Sequence, residues 1–198
     1  VLDALSALFD KSLLAVDEPD GESEARRYRL YESIHAYAAE KLDELDVPAA
    51  ARDRHARWFA AAGARWAAAA RGQRFQEGLA SLAREHDNLL AARAWSIERG
   101  ELARALELTL CLEPLAIVRG PVLPYLEQLS ALLARSDDLP PALVARGFGS
   151  LGVAESRRGR PADAVSAFRR ALALAARGGD ERDLPFFLAK LANQLCVL

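Results

Sequence analysis

Apolar side chains recur at intervals of three and four residues along most of this chain, which is the spacing of one face of an α-helix. From Pro48 onward only helical signals occur. Glycines at Gly100, Gly120 and Gly159 interrupt the pattern, where short turns between antiparallel helices favour glycine. The pattern predicts eight helices, over residues 48–71, 75–83, 84–97, 101–118, 121–134, 140–157, 161–176 and 184–198. Consecutive helical hairpins of this kind are typical of an α-solenoid.

The first 46 residues follow a different pattern. A short periodic segment, Leu2–Phe9, precedes two short runs on either side of a Pro19-Asp20-Gly21 turn, which predicts a β-hairpin. Ser33 is suited to cap a following helix, whose apolar positions are Ile34, Tyr37, Ala38, Leu42 and Leu45. Helix, hairpin and helix in this order form the second half of a winged-helix domain. We expect the first half to precede Val1.

The most regular internal pattern lies between residues 145 and 178. Its spacing resembles that of the tetratricopeptide repeat, with matches at Phe148, Leu151, Gly152, Gly159, Ala164, Phe168 and Ala171. Weaker copies precede it, and Leu188, Leu191 and Ala192 resemble the opening helix of a further repeat. We therefore expect tetratricopeptide-like repeats over residues 84–198, the last one incomplete. Connecting helices over residues 47–83 would join them to the partial winged helix of residues 1–46.

Close packing explains why this repeat pattern mixes small and large residues. The small ones let two helices approach, and the large ones fill the space between neighbouring hairpins. We expect Gly152 to lie at the helix crossing. Gly149 has no position in the pattern, so we expect Gly149→Ala to be neutral or stabilising. Gly147–Gly152 also spells the GxGxxG dinucleotide fingerprint, but no strand precedes it, and we assign its glycines to packing.

The composition supports an all-α fold. The chain has 41 Ala and 33 Leu, which are strong helix formers, but only 13 β-branched residues. The sequence contains no stretch of about 18 consecutive apolar residues, so it predicts no membrane span. Cys111 and Cys196 lie far apart, which fits reduced thiols and a cytoplasmic protein. The sequence starts at Val1 and contains no Met, so we expect it to be a fragment of a longer protein.

The net charge of −2 conceals an uneven distribution. Residues 1–46 carry 12 acidic and 5 basic side chains, whereas residues 47–178 carry 13 acidic and 19 basic ones. A segment that contacts DNA needs positive charge to face the phosphates. The acidic first segment therefore argues against nucleic-acid binding by this chain.

Several short motifs follow one another along the chain: Asp10-Lys11-Ser12-Leu13-Leu14, Arg27 to Ala38, Arg54-His55-Ala56, Glu85-His86-Asp87-Asn88-Leu89, and Trp95. Their order resembles that of the STAND class of signal-transduction NTPases. In bacterial regulators of that class, a nucleotide-binding domain is followed by a winged helix and by tetratricopeptide-like repeats. The resemblance implies a regulatory arm that senses an effector or docks a partner. No GxxxxGK[ST] phosphate loop occurs in these residues, so any NTPase activity would reside in a segment before Val1.

The three histidines are the first candidates for a metal or acid–base site. His35, His55 and His86 have no second ligand at metal-binding spacing, and neither Asp53 with His55 nor His86 with Asp87 converges on one helix face. Asp87 and Asn88 are better suited to bond the neighbouring backbone or an adjacent helix than to carry catalysis. We therefore predict no catalytic residues, no metal site and no cofactor.

An arginine cluster is the candidate partner surface. Its members are Arg157, Arg158, Arg160, Arg169 and Arg170, at and after the predicted repeat turn. Guanidinium groups in such a cluster can bind anions through forked contacts. The alternative is that these side chains are scattered on solvated helix faces.

These patterns favour a non-enzymatic module of a larger bacterial signalling protein. It would bind a protein, a peptide or a small effector on its helical-repeat surface, without contacting nucleic acid or a membrane. The alternative is a transcriptional regulator that binds DNA directly through the winged helix. An enzyme is disfavoured because no group of titratable side chains converges.

Overall fold

A computed structural model describes residues 2–17, 27–43, 48–178 and 182–197 of the 198-residue chain. Within these ranges it contains eleven α-helices and two β-strands, so the chain is mostly helical with one small sheet. The chain divides into two compact units, Val1–Ala51 and Arg52–Leu198. In the described ranges no helix has both the length and the apolar character needed to span a membrane.

The first unit contains a helix, a two-stranded sheet and a second helix. These elements are α1 (Leu2–Asp10), β1 (Leu14–Asp17), β2 (Arg27–Leu30) and α2 (Glu32–Asp43). The strands are antiparallel, with Leu14 opposite Leu30 and Val16 opposite Tyr28. The predicted Pro19-Asp20-Gly21 turn lies outside the described residues. Leu14 is the one buried side chain among those described in this unit.

The prediction that Ser33 caps α2 was wrong. The helix begins at Glu32, and the backbone N–H of His35 donates to the carbonyl of Tyr31 at 2.8 Å. Tyr31 therefore occupies the capping position, and Ser33 lies inside the first turn.

The second unit is a succession of helices. They are α3 (Pro48–Arg71, which begins before the unit boundary), α4 (Phe75–Arg84), α5 (His86–Glu98), α6 (Leu102–Cys111), α7 (Glu113–Arg119), α8 (Val122–Leu133), α9 (Pro141–Arg157), α10 (Pro161–Gly178) and α11 (Leu184–Leu195). Proline opens α3, α9 and α10, where its missing N–H leaves no helical bond unmade. At the turn between α9 and α10, Gly159 has a φ of 72°, a conformation that favours glycine.

The single helix predicted over residues 101–118 is in fact two helices. α6 ends at Cys111 and α7 begins at Glu113, with Pro114 in its first turn. Proline cannot donate the backbone bond that a continuous helix needs there, and it disfavours helical geometry at the preceding residue. The sequence pattern remained periodic across this break, which concealed it.

One continuous core joins the helices of the second unit. The largest fully buried side chains are Phe168, Leu82, Leu89, Leu106, Leu108 and Leu129. Among the predicted repeat positions, Ala164, Phe168 and Ala171 have no exposed surface, Phe148 is buried, and Leu151 is partly buried. α9 and α10 pack together more extensively than any other described pair of elements.

The glycines of α9 are contact points with other helices. A Cβ at Gly152 would lie 2.7 Å from Cε1 of Phe168 on α10, so the two helices meet closely there. A Cβ at Gly149 would overlap the ring of Phe187 on α11. The expectation that Gly149→Ala is harmless was therefore wrong, because Phe187 is itself buried and cannot move aside freely.

We predict that Gly149→Ala and Gly152→Leu each lower the free energy of unfolding by roughly 1–3 kcal/mol, the usual cost of overpacking a core. Gly72→Ala is the control, since a Cβ there meets only ordinary contacts, the nearest at 3.4 Å. Chemical denaturation of the three variants measures the effect. A neutral Gly149→Ala would show that α11 does not pack on α9 as described.

Candidate functional site

Three adjoining cavities form a groove on the second unit. The first has a volume of about 480 Å³ and lies between α3, α6 and α9. The second, of about 270 Å³, and the third, of about 480 Å³, extend it to the start of α11. Arg146 of α9 lines all three, so we call them together the central groove.

Small side chains of α3 create the open space in the first cavity. Five alanines at helical spacing line it, together with Leu110 and Cys111: Ala60, Ala61, Ala64, Ala67 and Ala68. A Cβ at Gly63 would lie 2.9 Å from Cδ2 of Leu89 and 3.2 Å from Cβ of Cys111. This close approach holds α3 against α5 and α6, while the alanines keep the neighbouring surface shallow.

Three of the arginines that line the first cavity are paired with acidic side chains. Arg57 donates to Asp53 at 3.1 Å. Arg71 donates to the carbonyl of Leu110 at 3.1 Å and lies 3.6 Å from the carboxylate of Glu113. Arg104 forms an ion pair with Glu101. Each of these three guanidinium groups therefore has a carboxylate partner, which compensates its charge.

The other two charged residues of the first cavity have no such partners. Among the described residues, neither Glu107 of α6 nor Arg146 of α9 forms a hydrogen bond or an ion pair. Both side chains are exposed, and both also line the third cavity. The first cavity therefore presents one uncompensated anion and one uncompensated cation, which come from different helices.

Asp53, near the start of α3, bonds side chains of two neighbouring helices. Its carboxylate accepts a hydrogen bond from the indole N–H of Trp95 at 2.9 Å and lies 3.9 Å from Arg104. The Trp95 bond, followed by Arg57 and Arg104, holds the pKa of Asp53 below its usual value, against the opposing effect of desolvation. One carboxylate thus connects α3 with both α5 and α6.

Two aromatic rings and one member of a buried polar pair line the second cavity. The hydroxyl groups of Tyr125 and Ser150 lie 2.5 Å apart, and burial raises the pKa of Tyr125. Ser150 lines the cavity with Phe186 and Phe187, whose ring centroids are 5.8 Å apart. On the floor of the first cavity, burial raises the pKa of Cys111 to about 11, so its thiol stays protonated at neutral pH.

The predicted arginine surface lies at the end of α9, on the turn between α9 and α10, and on α10, and its members do not line the three groove cavities. Arg158 pairs with Glu155 at 3.2 Å and Arg160 with Asp163 at 3.4 Å, each within its own turn. Arg170 lies 4.2 Å from the ring centroid of Phe148. Arg157 and Arg169 are exposed.

The three histidines are dispersed. His55 contacts Asn88 at 3.4 Å and packs on Phe59, His86 contacts Asp87 at 3.2 Å, and His35 is exposed. Asn88 therefore bonds an adjacent helix, as expected. In the part of the chain that the structure describes, no cluster of His, Cys, Asp or Glu could hold a metal ion.

Sequence reasoning did not identify the groove residues. Arg57, Arg71, Arg104 and Arg146 come from three helices spread over about 90 positions, so no local motif joins them. One signal was available on α9. Arg146, Gly149 and Ser150 share a helical spacing that is offset from the predicted packing positions Phe148 and Leu151.

The chain matches no family model and no solved structure. It is similar to proteins of Mycobacterium tuberculosis and Mycobacterium bovis that are named "Putative HTH-type transcriptional regulator". The identity is 38% over 136 residues, which cover 67% of this chain and 14% of the length of each relative. The chain therefore spans only a small part of the length of the relatives it matches.

We predict that Asp53→Asn lowers the Tm at pH 7 by a few degrees, because it removes the charge that Arg57 and Arg104 face. The folded-state pKa of Asp53 is depressed, so its charged form stabilises the fold above the unfolded-state pKa of 3.8. This contribution disappears as the pH falls through the folded-state pKa. The difference in Tm between wild type and variant should therefore shrink at acidic pH.

Thermal melts at a series of pH values measure this dependence. Asp137→Asn is the control, since Asp137 is exposed and pairs with no described residue. A Tm difference that stays constant from pH 7 to below pH 3 would contradict the role of the Asp53 charge.

Proposed function

We propose that this chain is a non-enzymatic regulatory module of a larger bacterial transcriptional regulator, and that its second unit binds a peptide, protein or small effector in the central groove. The observation that carries the proposal is the groove itself. Five helices, α3, α6, α7, α9 and α11, contribute to it, and its two largest cavities, of about 480 Å³ each, fall within the size range of ligand sites.

The remaining parts of the proposal extend the resemblance described above. The helical hairpins would be tetratricopeptide-like repeats stacked as an α-solenoid, and the first unit would be part of a winged helix. The protein would belong to the STAND class and act in the cytoplasm. This chain contains no phosphate-loop motif, so nucleotide hydrolysis by the whole protein would depend on residues outside it.

A groove-filling substitution tests this function in the complete regulator. Ala64 is exposed on α3 and lines the first cavity, so Ala64→Trp would occupy the groove without burying new surface in the core. Ala80→Trp is the matched control, on the exposed side of α4. Each is introduced into the chromosomal gene of the source bacterium, and transcripts are compared with those of wild type and of a deletion strain.

We expect Ala64→Trp to change the transcripts that the deletion changes, and Ala80→Trp to match wild type. A deletion with a wild-type transcript profile would contradict the regulatory role. A deletion phenotype combined with a wild-type profile for Ala64→Trp would show that the groove is not the binding surface.

Direct DNA binding by the first unit is the second candidate function. The names of the relatives and the order of a helix, two antiparallel strands and a helix in this unit favour it. The charge of residues 1–46, with 12 acidic and 5 basic side chains, opposes it.

We predict that the chain does not shift random duplex DNA, or duplex from upstream of its own gene, at low micromolar protein and physiological salt. Electrophoretic mobility assays at several salt concentrations measure this. A salt-dependent shift that Arg29→Glu on β2 abolishes, and Arg135→Glu after α8 does not, would establish the second candidate instead.

A further inference from the structure

The uncompensated charges of the first cavity differ in sign. Five charged side chains line it, and three of them, Arg57, Arg71 and Arg104, are held by carboxylates. The remaining two are Glu107 and Arg146, which form no ion pair with each other or with any other described residue. They project from different helices into the same two cavities.

The charge balance of the cavity disfavours a multiply charged anion as its ligand. Four arginines line the cavity. When their partners are included, they face four carboxylates, those of Asp53, Glu101, Glu107 and Glu113. A phosphate group would find no surplus positive charge. A ligand that carries one negative and one positive group would instead satisfy Arg146 and Glu107 together and leave the balance unchanged.

The floor of the first cavity indicates what kind of group the ligand carries besides its two charges. It consists of alanine side chains of α3, with Leu110 and Cys111 of α6. The Cys111 thiol is protonated and adds no charge. An apolar substituent of the ligand would remove this surface from water.

We propose that the first cavity binds a small zwitterion, an α-amino acid or dipeptide with an apolar side chain. The guanidinium of Arg146 takes the carboxylate through a forked pair of hydrogen bonds, Glu107 takes the ammonium group, and the apolar side chain lies on the alanine floor. This inference rests on the proposed function, because it names the effector class of the same groove.

Calorimetric titration of the whole chain tests the inference. The probes are the twenty standard amino acids and L-leucyl-L-leucine, with N-acetyl-L-leucine, which lacks the ammonium group, and L-leucinamide, which lacks the carboxylate. Inorganic phosphate is the probe for a simple anion site. The variants are Arg146→Gln and Glu107→Gln, and the controls are Arg135→Gln and Glu127→Gln, whose exposed side chains lie outside the three cavities.

We expect saturable binding of at least one apolar amino acid or of the dipeptide. Removing either charged group of the ligand, or either side chain of the pair, should weaken binding at least about tenfold, whereas the control variants should bind as wild type does. Melting curves of all variants establish that the fold is retained.

Several results would overturn the inference. They are no binding of any probe at about 10 mM, equal binding of the capped derivatives, and tighter binding of phosphate than of any zwitterion. These failures are distinct from failure of the proposed function. If Ala64→Trp alters transcription but no zwitterion binds, only the ligand class is wrong.

Discussion

Close approach of helices at glycine is the constraint on which the second unit depends. At Gly78 of α4, a Cβ would lie 2.6 Å from the carbonyl oxygen of Trp66, so α4 lies directly against the backbone of α3. Gly149 and Gly152 likewise admit the rings of Phe187 and Phe168 against α9. A larger side chain at Gly149 would separate α9 from α11, which both line the second cavity. The shape of this part of the groove therefore depends on a position that must remain glycine.

Carboxylates beside the groove neutralise most of its arginines and so limit which ligands it can bind. The carboxylate of Asp53 accepts hydrogen bonds from Arg57 and Trp95 and lies 3.9 Å from Arg104. Two of the arginines that line the groove therefore share one carboxylate. Guanidinium groups that already have a carboxylate partner leave little net positive charge for a ligand. The groove can thus be rich in arginine without being a site for polyanions, and its selectivity depends on Glu107 and Arg146, which no described side chain neutralises.

Helix boundaries could be predicted because amphipathic spacing is local, and α9 and α10 were placed within two residues. The division between α6 and α7 could not, because an apolar pattern continues through a proline break. Gly149 was misjudged for a different reason. The repeat pattern describes contacts within one hairpin, whereas Phe187 belongs to the next helix along the chain. The groove was missed because its arginines meet only after α3, α6 and α9 have packed.

One face of α9 packs in the hydrophobic core and another lines the groove, so this helix connects the two. Phe148 and Gly152 face the hydrophobic core, while Arg146 and Ser150 line the groove. Gly149 belongs to both, since it lines the second cavity and also accepts the ring of Phe187, which lines the same cavity. This part of the groove therefore exists only while α11 remains packed on α9. A ligand there would contact two helices at once, and its binding energy would favour the arrangement that keeps them together.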